Sequence, residues 1–349
     1  MIDLAVNLVF QLLQMLLVVG LAPLLTGLVR KAKARLLRRK GPPLLQPYRD
    51  LARLARKDAV VAEGASWLFR VVPYVVLAAT WVAAALIPTF ATGLLFSWSA
   101  DLIAIIALLG AARFFLALAG LDVGTSFGGL GASREAMFAT LAEPAMIMIV
   151  FTLALIAGST QLSTMAAFMA SSEVGLRVSL GLALIAGSTQ LSTVAAFMAS
   201  SAVGLRVTLG MALIALIIVA VAENGRIPVD NPATHLELTM VHEAMILEYS
   251  GRHLAVIELA SMLKLLLYVS LIVCVFAPWG LAIADAGVVD RLIGAGVYVV
   301  KLGVAGLMLA TFETSIAKMR VFRVPDFLGA ALMLGFLGAL LLFVSRTLK

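Results

Sequence analysis

Long apolar runs separated by short polar breaks dominate this chain. Leu4–Val29, Val71–Ala100, Leu265–Ala284 and Phe327–Ser345 hold no charged residue, and each is long enough to cross about 30 Å of hydrocarbon as a helix. Strands would leave backbone groups unpaired in lipid, and the alternation of a membrane barrel is absent. The pattern therefore predicts an all-α fold, a polytopic transmembrane bundle of about eight spans. They fall near 5–29, 69–90, 100–121, 137–158, 204–222, 256–282, 292–313 and 326–346 of a single integral membrane domain, 1–349. One segment between spans is also periodic. In Gln46–Asp58, Leu51, Leu54 and Ala55 share one helical face while Arg49, Arg53 and Arg56 share another, which predicts a short helix lying at the membrane surface.

Charge fixes the expected orientation. Hydrophobic residues make up 62% of the 349 and charged ones 13%, too few charges to coat a soluble domain. The first charge is Asp3 and the first basic residue Arg30, so the opening segment reads as a retained span rather than a cleaved signal. Twelve basic residues lie between Arg30 and Arg70. With the N-terminus outside, the inner loops are 30–68, 122–136, 223–255 and 314–325, and they and their edges hold 18 of the 26 basic residues. The positive-inside rule thus accounts for the net charge of +7 without nucleic acid.

A tandem repeat interrupts the series of spans. Leu153–Gly181 and Leu182–Gly210 are each 29 residues long and differ only at Met165/Val194, Glu173/Ala202 and Ser179/Thr208. Architectural repeats diverge and are seldom so isolated. This one reads as a local duplication within 153–210, adding an excursion on the outer side and no further span.

Ionisable residues inside spans are costly and mark function by default. Glu143 lies in the fourth span and Glu223 ends the fifth; Glu258 and Lys264 lie in the sixth, Lys301 in the seventh, and Glu313 closes it. Arg113 sits in the third. Carboxylates and lysines at membrane depth suit a proton path, because burial and neighbours can bring their pKa values towards neutrality. The polar loop 223–255 holds all three histidines, His235, His242 and His253. Its spacing matches no usual zinc site, and a polar funnel feeding the carboxylates fits better. The lone Cys274 excludes a cluster held by several cysteines. The run Gly124–Ser133 lacks the lysine and the strand context of a nucleotide loop, and is read as a flexible turn.

Three segments carry a resemblance. RRKGPPLLQPYRDLARLARKD (Arg38–Asp58), AENGRIPVD (Ala222–Asp230) and LEYSG (Leu247–Gly251) resemble the signatures of the subunit-1 family of respiratory complex I. There are departures. Gly41-Pro42-Pro43 replaces Gly-Pro-Asn, and only Glu237 remains of an acidic run in which Ala233 and His235 take two other acidic positions. The wording DNPATHLELTMVHEAMILEYSGRH is similar to the membrane subunit of energy-converting nickel–iron hydrogenases of the formate hydrogenlyase type.

The resemblance implies a non-catalytic anchoring and ion-coupling subunit, carrying protons or sodium, in a prokaryotic cytoplasmic (inner) membrane. It implies no cofactor on this chain, with the nickel–iron centre and iron–sulfur clusters on partners. Those partners are a hydrogenase large subunit, an iron–sulfur small subunit, ferredoxin-like subunits and antiporter-like membrane subunits. By position, Glu143, Glu223 and Glu237 match proton-path acids, joined here by Glu258, Lys264, Lys301 and Glu313. Gly41, Pro42, Arg226, Pro228, Asp230, His235 and Glu248 fall in the segments expected to shape the inner cavity or dock the partners. A quinone-site subunit of an NADH dehydrogenase-like complex and an autonomous ion transporter are the competing readings.

Overall fold

The computed structural model describes residues 2–62, 64–96, 99–171, 201–226, 241–282, 286–316 and 323–347. The elements are α1 (Ile2–Leu36), α2 (Gln46–Ala55), α3 (Trp67–Leu86), α4 (Leu102–Asp122), α5 (Ser126–Ala157), α6 (Leu162–Ser171), α7 (Ser201–Glu223), α8 (His242–Ile246), α9 (Gly251–Phe276), α10 (Val288–Ser315) and α11 (Val324–Thr347). Seven of them are long and apolar enough to cross a membrane: α1, α3, α4, α5, α9, α10 and α11. The span expected at 204–222 is α7, whose apolar part Val207–Glu223 reaches about 25 Å at 1.5 Å per residue.

The bundle is built around α9. Its apolar stretch is 67% buried, against 28–44% in the other six, because α1, α2, α3, α6, α7 and α10 all pack on it. Polar side chains hold the first two spans together within the apolar layer. Gln14 Nε2 donates to the carbonyl of Ile87 (2.7 Å), Gln11 to that of Ala85, and the Trp81 indole to that of Met15.

Loops sort to two ends. At one end the Ser66 amide donates to Asp122 (2.9 Å), Ser250 exchanges two hydrogen bonds with the Val60 backbone, and Lys33 meets Glu313. At the other, Ala282 pairs with Phe90 and Thr92, and Leu102 donates to Thr160. The loops expected on one face of the membrane thus gather at one end, which is also the basic end. The predicted surface helix is α2, seated where Gly27 of α1 lets the Pro47 ring approach.

One expectation is corrected. The Gly-rich run is not a flexible turn: Asp122 ends α4, Thr125 caps α5 by accepting from the Gly128 amide (3.2 Å), and helix continues from Ser126. Its glycines serve close packing. A Cβ on Gly128 would overlap the Gly120 carbonyl, and one on Gly131 would lie 2.9 Å from that of Val241.

The repeat is partly described. Ser201 holds in the second copy the place of Ser172 in the first, so residues 153–171 and 201–210 together make one complete 29-residue unit. Within it Met165 and Thr208 are buried, each the bulkier of the two residues that the copies offer at that place. The excursion expected from the extra copy falls on 172–200 and lies outside the described residues.

Candidate functional site

Arg113 is the hub of the site. It stands on α4 nine residues before the helix ends, about 14 Å along the axis, so its guanidinium must be neutralised within the bundle. Three carboxylates do this. Glu223 at the end of α7 pairs with Nη1, Glu143 of α5 lies 3.0 Å from Nη2, and Glu135 of α5 lies 3.9 Å from Nε. Lys264 of α9 donates to the other oxygen of Glu223 at 2.9 Å. The side chains of Arg113, Glu223, Glu135 and Lys264 are at most 18% exposed, while Glu143 is 49% exposed on the bundle flank.

Stoichiometry makes the cluster chemically active. Two cations face three carboxylates, so full ionisation leaves one uncompensated negative charge, and one bound proton cancels it. Geometry singles out where that proton sits most readily. Glu223 is held by both cations, whereas Glu135 is beyond hydrogen-bond distance and Arg113 Nε is buried with no hydrogen-bond partner. A buried donor left unmade costs about 1–3 kcal/mol, so closure of Glu135 onto Nε is favoured when Glu135 is ionised and released when it is protonated. A cavity of about 50 Å³ lies against these groups, lined also by Thr80, Asn224, His242 and Ser261. That is room for a water or two.

The cavity reaches the basic end through α8. Burial, and then the charge of Lys264, push the His242 imidazole down to about 4, so it is neutral near pH 7. Beside it, LEYSG fastens the same end. Pro73 lacks an amide hydrogen and so leaves the Phe69 carbonyl without its helical donor; the Tyr249 hydroxyl supplies one at 3.0 Å, and the two rings stack at 3.9 Å. Burial raises the Tyr249 phenol, keeping it a donor. Gly251 adopts φ +50° where its backbone presses on Asp58.

Other expected residues lie elsewhere. Glu313 of α10 joins a separate group with Lys33 (3.0 Å) and Arg226 (3.4 Å); burial lowers the Arg226 pKa, Glu313 opposes that, and Arg30 adds to it. Glu258 faces Arg30 and Asp50, between α9 and the first two helices. Lys301 is far from the hub: it donates to the carbonyls of Ala277 (2.6 Å) and Trp279 beyond the end of α9, with the Trp279 ring 4.3 Å away. Gly41 takes φ +68° to fold the chain back on Ala34, with Pro42 beside it, and Glu248 is half-buried before Tyr249. Pro228, Asp230, His235 and Glu237 lie outside the described residues. Sequence reasoning missed Glu135 and the central place of Arg113, and named His242 as one of the three histidines of the polar funnel. Among the described residues, no group of three His, Cys, Asp or Glu is placed to hold a metal.

A membrane bundle with a charged hub linked to a signature-bearing basic end defines a class, and the chain belongs to it: the subunit-1 family of respiratory complex I. The family model described as NADH dehydrogenase matches residues 9–344. The chain is 33% identical to formate hydrogenlyase subunit 4 of Escherichia coli (strain K12) over 344 residues, 97% of this chain and 98% of that one. It is 34% identical to hydrogenase-4 component C of the same organism over 277 residues, 78% of this chain and 76% of that one. In fold it is similar to a chain of the membrane-bound sulfane sulfur reductase, an archaeal respiratory membrane complex. The TM-score there is 0.74 at 18% identity, covering 96% of this chain and 98% of the other. It is thus a multi-pass inner-membrane protein whose relatives are subunits of multi-subunit respiratory membrane complexes.

Proposed function

We propose that this chain is the anchoring and ion-coupling subunit of a formate hydrogenlyase-type nickel–iron hydrogenase complex. The observation that carries the reading is the hub itself: three carboxylates and two cations around a small cavity at membrane depth, one proton short of neutrality. His242 and Asn224, from the described parts of the polar loop, form its entrance at the basic end, which faces the cytoplasm. There, loops 30–68 and 223–255 dock the hydrogenase large subunit and the iron–sulfur small subunit, with their ferredoxin-like partners. The flanks meet antiporter-like membrane subunits.

Redox chemistry belongs to those partners. This chain's part is to hold a proton at Glu135 or Glu143 beside Arg113, which stays charged, and to pass it by way of the small cavity lined by Glu135, Glu223, Lys264 and His242. The test uses the intact complex in sealed vesicles. Glu135→Gln and Glu143→Gln should each lower proton-coupled hydrogen turnover at least several-fold, while dye-linked hydrogenase activity of the attached arm persists. Unchanged proton movement in both variants refutes the relay, and failure to recover hydrogenase subunits with a tagged chain refutes the assembly.

A further inference from the structure

A second cavity, of about 220 Å³, opens on the flank of the bundle between α7, α9 and α10. Its walls are Ile217, Ala220 and Val221 on one side and Ala305, Met308 and Phe312 on the other, over a floor that includes Tyr268 of α9. From Ile217 to Glu223, where α7 ends, it runs about 9 Å along that helix, within one leaflet of a hydrocarbon core about 30 Å thick. Apart from the Tyr268 phenol, its lining is polar at the basic end, where Asn224 and Arg226 line it. There Arg226 and Lys33 share Glu313, and Arg30 lies close enough to repel Arg226. Three cations against two carboxylates, Glu313 and the Glu258 that faces Arg30, leave that end one charge positive, at the depth where lipid headgroups begin.

The geometry assigns this groove to one acyl chain of an anionic phospholipid, its phosphate seated at Arg226. Depth and chemistry decide for a lipid tail over a partner helix, because the walls are apolar for about 9 Å below a positive end that matches a phosphate.

The lipid also has a task. Asn224 lines both this groove and the cavity of the charged hub, and the Tyr268 ring stands between the groove and the Glu223–Arg113 pair. An empty groove would admit water to within one side chain of the hub. An acyl chain keeps that wall dry.

The full-length chain, purified in mild detergent, tests this by phospholipid extraction and mass spectrometry. Wild type should retain about one more anionic phospholipid per chain than Ala305→Phe, which fills the groove; Ile147→Phe, on the exposed face of α5, should match wild type. Arg30→Gln should lessen the preference for anionic over zwitterionic lipid while leaving occupancy in place. In case the filled variant does not fold, a photo-crosslinking side chain at Met308 in the otherwise native sequence should capture fatty-acyl groups. Equal lipid in wild type and a folded Ala305→Phe, a quinone released from wild type instead, or crosslinks at 308 only to protein would each overturn the assignment.

Discussion

Replacing Glu223 by Gln should expose the electrostatics of the hub directly. In the native chain Arg113 and Lys264 sit on opposite oxygens of this carboxylate, which is 5% exposed. Gln keeps the shape but removes the charge between the two cations. At a separation of about 5 Å and an effective dielectric of about 20, their repulsion is roughly 3 kcal/mol, within the range of about 3–5 kcal/mol for breaking a buried pair from one side. Arg113 keeps Glu143 and Glu135, so the burden falls on Lys264. Removing that second cation, as Glu223→Gln with Lys264→Met, should recover most of the loss. The assay is thermal loss of monodisperse chain followed by fluorescence-detected size exclusion. A penalty of about 3 kcal/mol corresponds to a fall on the order of 4 °C, and the double variant should melt closer to wild type than Glu223→Gln. If Glu223→Gln melts with wild type, or the double variant loses the sum of both single losses, the three side chains are not the coupled triad described.

Tyr249→Phe keeps the ring stack but orphans the Phe69 carbonyl that Pro73 has already deprived of its donor; the expected loss is about 1–3 kcal/mol, and an unchanged melting temperature disproves the link. His242 is pushed down to about 4 in the folded chain from an ordinary 6.5. The unfolded chain therefore binds more protons in that interval, and the stability His242 contributes is full above about pH 6.5 and lost as pH falls towards 4. The difference in melting temperature between wild type and His242→Gln should change across that window, and parallel curves refute it. Deleting residues 172–200 joins Ser171 to Ser201 and leaves one uninterrupted copy of the repeat, so the shortened chain should accumulate and integrate as the full one does; loss of folded chain in membranes counts against it.

Most of the bundle was legible because a helix must satisfy its own backbone in lipid, so apolar runs translate directly into spans. The intramembrane charges were legible for the same reason: Glu143, Glu223 and Lys264 stood out against their surroundings, and the structure gathers them. Glu135 was not, because the glycines before it read as a flexible turn, whereas at Gly128 and Gly131 they mark places where another backbone touches the helix. Lys301 stands apart from that cluster. A lysine deep in an apolar run looked like a relay member, yet it caps the carbonyls beyond the end of α9, a role that sequence spacing does not display. The glutamates 258 and 313 lie in neighbourhoods set by α1 and α2, which no local pattern on α9 or α10 reveals.

The order of residues in the hub also bears on how the chain enters the membrane. Arg113 arrives on α4, and the next helix to emerge, α5, carries Glu135 and Glu143 across a turn of only three residues, Val123–Thr125. The pair of helices thus brings its own counterions, and the guanidinium need not wait for Glu223 or Lys264, which are translated more than a hundred residues later. Each of the two later groups meets a partner on arrival: Glu223 reaches a membrane that already holds Arg113, and Lys264 reaches one that already holds Glu223. Within the hub, each incoming charge thus has an opposite charge in place or close behind it.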